Sequence, residues 1–383
     1  MKRYSIFNRL LTALLFGSVA AGWMACSESD DQEAAKGSPL ELVTYTSAYD
    51  EGDWGTSTRA LTRGVDATLY TPDDDTGNYK IQLYMAKEGD TDASQATAGE
   101  IAFFNGRWTS NAQVSGGTNY ILFGFMPTSA ADGSHLGAAA STDDNTFYLN
   151  GGVLTLEGIE PVSTNDLCVL TGVQGNLSKT DAEASPQAAP DDLLYGWLHY
   201  TGKASGNNVR LLFDHIYAML EFKMTISAKY ADLRSIYLKE FKLVSTGGKM
   251  NASITLKHDG NGRSPIMDIS YTSPSSAASE TTLYQAEEGE LGLMLETTEK
   301  YVAAWFEPTL GNDLTIISKY DVYDRKGNLI REGCEATNHL KDVIPYMERG
   351  QKLPIKLTVS PTYLYVLSDP DLDNPTPMLD IGQ

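Results

Sequence analysis

Period-two alternation of apolar and polar side chains runs from about residue 79 to the C-terminus and constrains the fold more than any other feature. Tyr79, Ile81, Leu83 and Met85 alternate with Lys80, Gln82 and Tyr84. Successive strand residues point to opposite faces, so this pattern buries one face of a sheet and wets the other. Tyr120 to Met126 is a nearly continuous apolar run, as expected of a strand covered on both faces. Leu167 to Val173 is a similar run. Phe147 to Leu149 and Val153 to Leu156 flank Asn150-Gly151-Gly152, which reads as a hairpin turn. Further strands are expected at 236–244, 250–256, 291–295, 301–306, 314–323 and 353–359, with a turn at Asp324 to Asn328. The Ser-, Gly- and acid-rich stretch 258–289 reads as a long exposed loop.

The stretch Val209 to Ile226 carries a second kind of information. Val209, Leu211, Phe213, His215 and Tyr217 share one parity, whereas Leu220, Phe222, Met224 and Ile226 share the other. One strand cannot change its inward face without a defect, so a bulge or break is expected near Ala218-Met219. With no helical pattern beyond about three turns and no solenoid repeat, the chain reads as all-β. The expected arrangement is two antiparallel β-sandwich domains in tandem, joined somewhere within 178–207.

The N-terminus reads as a targeting segment. Lys2, Arg3 and Arg9 precede an apolar run, Leu10 to Met24, which Gly17, Ser18 and Gly22 interrupt. That run is short for a membrane span and ends at Ala25-Cys26, which resembles a lipoprotein signal with Cys26 as the lipidated residue. Ser27 to Lys36 is polar and acidic and reads as a solvated tether or an export address. The expected division is 1–25 signal peptide, 26–63 lipidated tether with a first strand, 64–200 N-terminal domain, and 201–383 C-terminal domain with its tail.

Composition excludes some partners. With 29 Lys+Arg against 50 Asp+Glu, the formal charge is −21. Such a chain repels nucleic-acid phosphates, so no nucleic acid is expected as a partner. Cys168 and Cys334 lie far apart in sequence and read as two buried free thiols rather than a disulfide.

Motifs for chemistry are missing. There is no zinc-protease helix, P-loop, dinucleotide fingerprint or nucleophile elbow. The histidines at 135, 199, 215, 258 and 339 show no metal-ligand spacing. His215 reads as a core histidine with a backbone partner. Asp369, Asp371, Asp373 and Asp380 mimic a calcium loop, but Asn374 stands at the glycine position, and Pro370, Pro375 and Pro377 resist its curvature. Asp73-Asp74-Asp75 reads as a solvated turn. Trp108, Trp197 and Trp305 read as core or interface residues, although each could stack on a sugar. No catalytic residue, metal or cofactor is expected, and the chain is not expected to be an enzyme.

Several of these stretches together resemble the fimbrillin family, the subunits of lipoprotein-derived type V pili of gut and oral anaerobes. They are the signal with Cys26, the block Asp191-Asp192-Leu193-Leu194-Tyr195-Gly196 with Val209 to Leu220, and the closing strand Gly350 to Val359 leading to Pro361 to Val366. The resemblance implies two transthyretin-like domains and travel to the outer membrane through a lipid anchor. It further implies cleavage by an arginine-specific protease and polymerisation with other pilus subunits, alike or different, by strand exchange in support of adhesion. Leu40 to Thr46 is the candidate for the removable strand. Arg59 and Arg63 are the candidate cleavage points, with Arg59 favoured; both could instead be ordinary surface residues. Tyr363, Leu364, Tyr365, Val366 and Leu367 are the candidate donor strand, or simply the last strand of the C-terminal domain. Two other readings stay open. A monomeric surface lipoprotein binding a host glycan or protein requires an aromatic-lined cleft. A secreted hydrolase requires two carboxylates about 5–9 Å apart in one pocket.

Overall fold

The computed structural model describes residues 37–50, 68–87, 95–138, 152–178, 198–258, 265–272, 275–308, 314–341, 344 and 347–359. Cys26, Arg59, Arg63, Trp197, the Asn150-Gly151 turn, the Asp191–Gly196 block, the donor candidate Tyr363–Leu367 and the Asp369–Asp380 pattern lie outside them.

Strands dominate. In chain order the first part holds β1 (Ser38–Thr46), β2 (Thr68–Leu69), β3 (Thr76–Lys87), β4 (Thr97–Phe104), β5 (Arg107–Ser110), β6 (Gln113–Val114) and β7 (Asn119–Met126). Next come β8 (Gly133–Ala138), β9 (Gly152–Ile159), β10 (Val162–Ser163), β11 (Cys168–Leu177), β12 (His199–Thr201) and β13 (Asn207–His215). The second part holds β14 (Ala218–Ile226), β15 (Arg234–Ser245), β16 (Met250–His258), β17 (Pro265–Tyr271) and β18 (Ser279–Gln285). It closes with β19 (Leu293–Leu295), β20 (Lys300–Phe306), β21 (Leu314–Asp324), β22 (Leu329–His339) and β23 (Lys352–Val359). Among the described residues no helix is long and apolar enough to cross a membrane.

Among the described residues, four sheets pack as two face-to-face pairs. The largest follows the order β2-β1-β13-β11-β7-β3-β4-β5, and it faces the sheet β17-β16-β9-β8 across a core that includes Leu83, Leu122, Leu154, Leu211, Phe213 and Ile254. The sheet β10-β20-β14-β23 faces β18-β15-β21-β22 across a second core, around Phe222, Phe241, Phe306 and Ile316. Each pair buries the apolar face that alternation creates on its strands. The Phe222 and Phe241 rings meet edge-on at 5.2 Å in the second core.

The expected defect after Val209 to Tyr217 is a change of core. β13 ends at His215 and β14 begins at Ala218. Tyr217 belongs to the first core and Ala218 to the second. The parity of inward residues therefore switches because the chain passes from one sandwich to the other. Two crossovers stitch the sandwiches together: β10 leaves the first for the second, and β16 and β17 return from the second to the first.

The stretch expected as a long exposed loop contains β17 and β18. Both are edge strands, and β18 has no fully buried residue. An edge strand pairs through its backbone whatever its side chains are, so its sequence reads as loop. β22 escaped sequence reading for the same reason, being mostly exposed with Cys334 as its buried residue. Among the described strands, the expectation of antiparallel pairing needs two exceptions, because β1 runs parallel to β13 and β14 parallel to β23. Asp324 caps its turn as expected, accepting from the Lys326 and Asn328 amides at 2.8 Å each. Asp74 likewise accepts from the Thr76 amide at 2.9 Å, making 73–75 a solvated turn.

Candidate functional site

The site is β1 and the four residues that follow it. Leu40 and Leu42 enter the first core, and Thr44, Tyr45 and Thr46 are buried as well. Fully burying a leucine is worth about 1.5–3 kcal/mol, so β1 is a substantial part of its sandwich. Its main partner is β13, in a parallel ladder from Leu40 opposite Asn207 to Thr46 opposite Phe213. On its other edge, among the described residues, it meets two short strands, β6 opposite Ser38 and Pro39 and β2 opposite Tyr45 and Thr46, with further backbone bonds from the Leu40 amide to the Ala112 carbonyl and from the Tyr70 amide to the Thr44 carbonyl. Thr44 ties the middle, donating to the Tyr70 carbonyl at 2.9 Å and accepting from Trp108 Nε1 at 3.0 Å. A groove of about 610 Å³ runs along this open edge, between β1 and β5, with Phe103 and Trp108 in its wall. Those rings pack edge-on against each other at 5.1 Å.

Beyond Thr46 the chain is fastened at successive points. The Ser47 amide donates to the Phe213 carbonyl at 3.1 Å, and Ser47 Oγ donates to Asp214 Oδ1 at 2.5 Å. The Ser47 carbonyl accepts from His215 Nε2 at 2.6 Å. Tyr49 stacks on the His215 ring with centroids 3.9 Å apart, and its hydroxyl accepts from Trp305 Nε1 at 2.7 Å. Asp50 forms a parallel bridge with Gln351: its amide donates to the Gly350 carbonyl, and its carbonyl accepts from the Lys352 amide. Segment 47–50 thus bears on β13 of the first sandwich and on β20 and the 349–352 turn beside the second.

Beneath this segment lies a cluster of unlike groups. His215 Nδ1 is 2.7 Å from Asp166 Oδ2 and 3.4 Å from Cys168 Sγ. His215 and Cys168 are 3% and 1% exposed. Burial alone would lower the His215 pKa, but the Asp166 and Asp214 carboxylates and the Ser47 carbonyl outweigh it and hold it above its ordinary value. Burial and then Asp166 push the Cys168 thiol well up. The same two causes raise the Tyr49 hydroxyl. Arg349 reaches Asp214 Oδ2 at 3.6 Å.

The expectation for His215 therefore holds, with Ser47 as its backbone partner, and Cys168 and Cys334 are buried and free. Trp108 and Trp305 are partly buried against the first core. Ser47, Tyr49, Asp166, Asp214 and Arg349 went unread in the sequence. Each is an ordinary polar residue in its local context, and only the juxtaposition of β1, β11, β13 and the 349–352 turn gives it a partner.

No family model matches the chain, and no curated protein matches it. Solved structures do. A Bacteroides fragilis protein assigned to cell adhesion only provisionally is 12% identical, with 85% of this chain and 93% of that one covered at a TM-score of 0.40. A fimbrial protein from Bacteroides ovatus is 12% identical, with 85% and 50% covered at 0.27. The fimbrial anchor protein Mfa2 from Porphyromonas gingivalis is 11% identical, with 84% and 90% covered at 0.25. At such identities and TM-scores no role passes from them to this chain.

Proposed function

We propose that this chain is a structural pilus subunit, exported as a precursor lipidated at Cys26 and assembled by protease-triggered strand exchange at the cell surface. The observation that carries this reading is how β1 is held. It is the first described strand, its long ladder is with β13 alone, and it leaves toward 51–67, the stretch that contains Arg59 and Arg63. One cut there by an arginine-specific protease would detach β1 from the rest of the chain.

The physics supports such an exchange. Loss of β1 would bare the hydrogen-bonding edge of β13 and open the places of Leu40 and Leu42 in the core. Adding a strand from another subunit satisfies both at once. While β1 remains in place, the edge is filled and premature polymerisation is blocked. Tyr363 to Leu367 of a neighbouring subunit is the proposed donor, and two transthyretin-like domains are the proposed architecture.

The test is to express the chain from Ser27, nick it with limited trypsin, and follow the N-terminal fragment and the oligomer size. Loss of that fragment with SDS-resistant ladders supports the reading, and an Arg59→Ala, Arg63→Ala double variant should give neither. Clean cleavage with a stable monomeric product would overturn self-assembly.

The groove beside β1 gives the second reading, a monomeric surface lipoprotein that binds a host glycan or protein, its specific observation. Trp108 is already engaged, edge-on to Phe103 and Tyr79 and bonded to Thr44.

A further inference from the structure

We infer that Asp166, Cys168 and His215 form a binding site for one borderline-soft divalent transition-metal ion, of the zinc or cobalt kind. The site stands whether or not the chain polymerises. The three donor atoms all lie within 4.8 Å of one another, and they offer one carboxylate oxygen, one sulfur and one imidazole nitrogen. A mixed set of this kind suits tetrahedral zinc, which takes thiolate, imidazole and carboxylate alike.

The spacing fits. Ordinary metal–ligand lengths and a tetrahedral angle place an imidazole nitrogen about 3.5 Å from a thiolate and about 3.3 Å from a carboxylate oxygen. Nδ1 already lies 3.4 Å from Cys168 Sγ, and its 2.7 Å separation from Asp166 Oδ2 has only to open by about half an ångström.

The surroundings favour a ligand role. Ser47 offers only a carbonyl to Nε2, so that nitrogen carries the proton and the ring presents Nδ1 to its two neighbours. A metal-bound histidine is usually oriented by such an N–H to a carbonyl. Asp166 Oδ1 is shielded from solvent and meets no donor in good hydrogen-bond geometry, while the Cys168 thiol and the Tyr49 hydroxyl both lie close to the same carboxylate. Asp166 is the most open of the three at 17% side-chain exposure, which gives an ion a way in.

The charges close as well. On binding, Cys168 Sγ and His215 Nδ1 each lose a proton to solvent, and the ion takes their place. Thiolate, carboxylate and divalent cation then sum to zero, so the buried site carries no net charge. A bound ion would also tie the Ser47 segment to the sandwich through His215. That consequence alone rests on the strand-exchange reading.

The sequence hides this site. Asp166 and Cys168 flank the start of β11, His215 ends β13, and only the antiparallel register that sets Cys168 opposite His215 unites them.

The test is titration of Co²⁺ and then Zn²⁺ into the chain expressed from Ser27, which contains the whole compact unit Gly37–Gln383. One ion per chain is expected, with a thiolate-to-cobalt charge-transfer band that zinc abolishes. Cys168→Ser should lose that band and weaken zinc affinity by more than about tenfold, whereas Cys334→Ser should keep both. His215→Gln should weaken binding similarly. If that variant fails to fold, the near-isosteric Cys168→Ser carries the decision. Absence of saturable binding, or binding unchanged in Cys168→Ser, overturns the inference.

Discussion

His215 Nε2 donates to the Ser47 carbonyl across 2.6 Å, joining the end of β13 to the residue that follows β1. Tyr49 then closes over the same ring. The segment that follows β1 is thus clasped by a buried histidine, alongside its bonds to Phe213, Asp214 and the 349–352 turn. Segment 47–50 should therefore slow the departure of β1, by an amount that can be measured.

Tyr49→Ala removes both the stacked ring and the acceptor of Trp305 Nε1. A loss of about 2–3 kcal/mol is expected, from truncating an aromatic ring and orphaning an indole N–H. After a cut within 51–67, the N-terminal fragment should leave faster than from the wild-type chain. Gel filtration of the nicked protein against time measures this, and equal release rates would show that the clasp is not limiting.

A synthetic peptide of residues 38–50 should compete with assembly. Its apolar residues Leu40 and Leu42 and its parallel register on β13 are those of the strand it replaces. Added in excess to nicked protein, it should bind and suppress SDS-resistant ladders, and the same peptide with Leu40→Asp and Leu42→Asp should not. Ladders that form equally with either peptide would mean that the β13 edge is not the acceptor.

Stability should carry an acidic limb from Glu240. Hydrogen bonds from Lys242 first, and then Lys319, hold its carboxyl below the usual range. A depressed carboxyl contributes stability that is present above its unfolded-state pKa and is lost as pH falls through its folded-state value. Glu240→Gln should therefore lower the melting temperature at neutral pH, by a loss of about 1 kcal/mol, and the difference from wild type should start to shrink as pH falls through the ordinary glutamate range and vanish only below the lowered folded-state value. A difference that persists unchanged at low pH would assign Glu240 a purely steric role.

Gly124 interrupts the apolar run of β7, and its backbone lies against β3. A Cβ at this position would come 2.6 Å from the Gln82 carbonyl oxygen. Gly124→Ala should force the two strands apart and cost about 1–3 kcal/mol, read as a lower denaturation midpoint with an unchanged slope. An unaltered midpoint would mean that the sheet absorbs the methyl group.

Alternation made the buried strands legible. β3, β7, β13 and β14 were readable because their apolar residues must all face one way or be covered on both sides. The change of core after Tyr217 was readable as a broken parity. β17, β18 and β22 were not, because an edge strand is held by backbone bonds that any side chain permits.

Local physics written in the sequence determined the all-β class, the inward faces and the capped turns, since each depends on residues a few positions apart. Only the tertiary structure decided that β1 lies parallel on β13, that β16 and β17 return to the first sandwich, and that Asp166, Cys168 and His215 meet beneath Ser47 and Tyr49. Those relationships join residues far apart along the chain. No short-range pattern encodes them, and they exist only once both sheets of a sandwich have closed over their core.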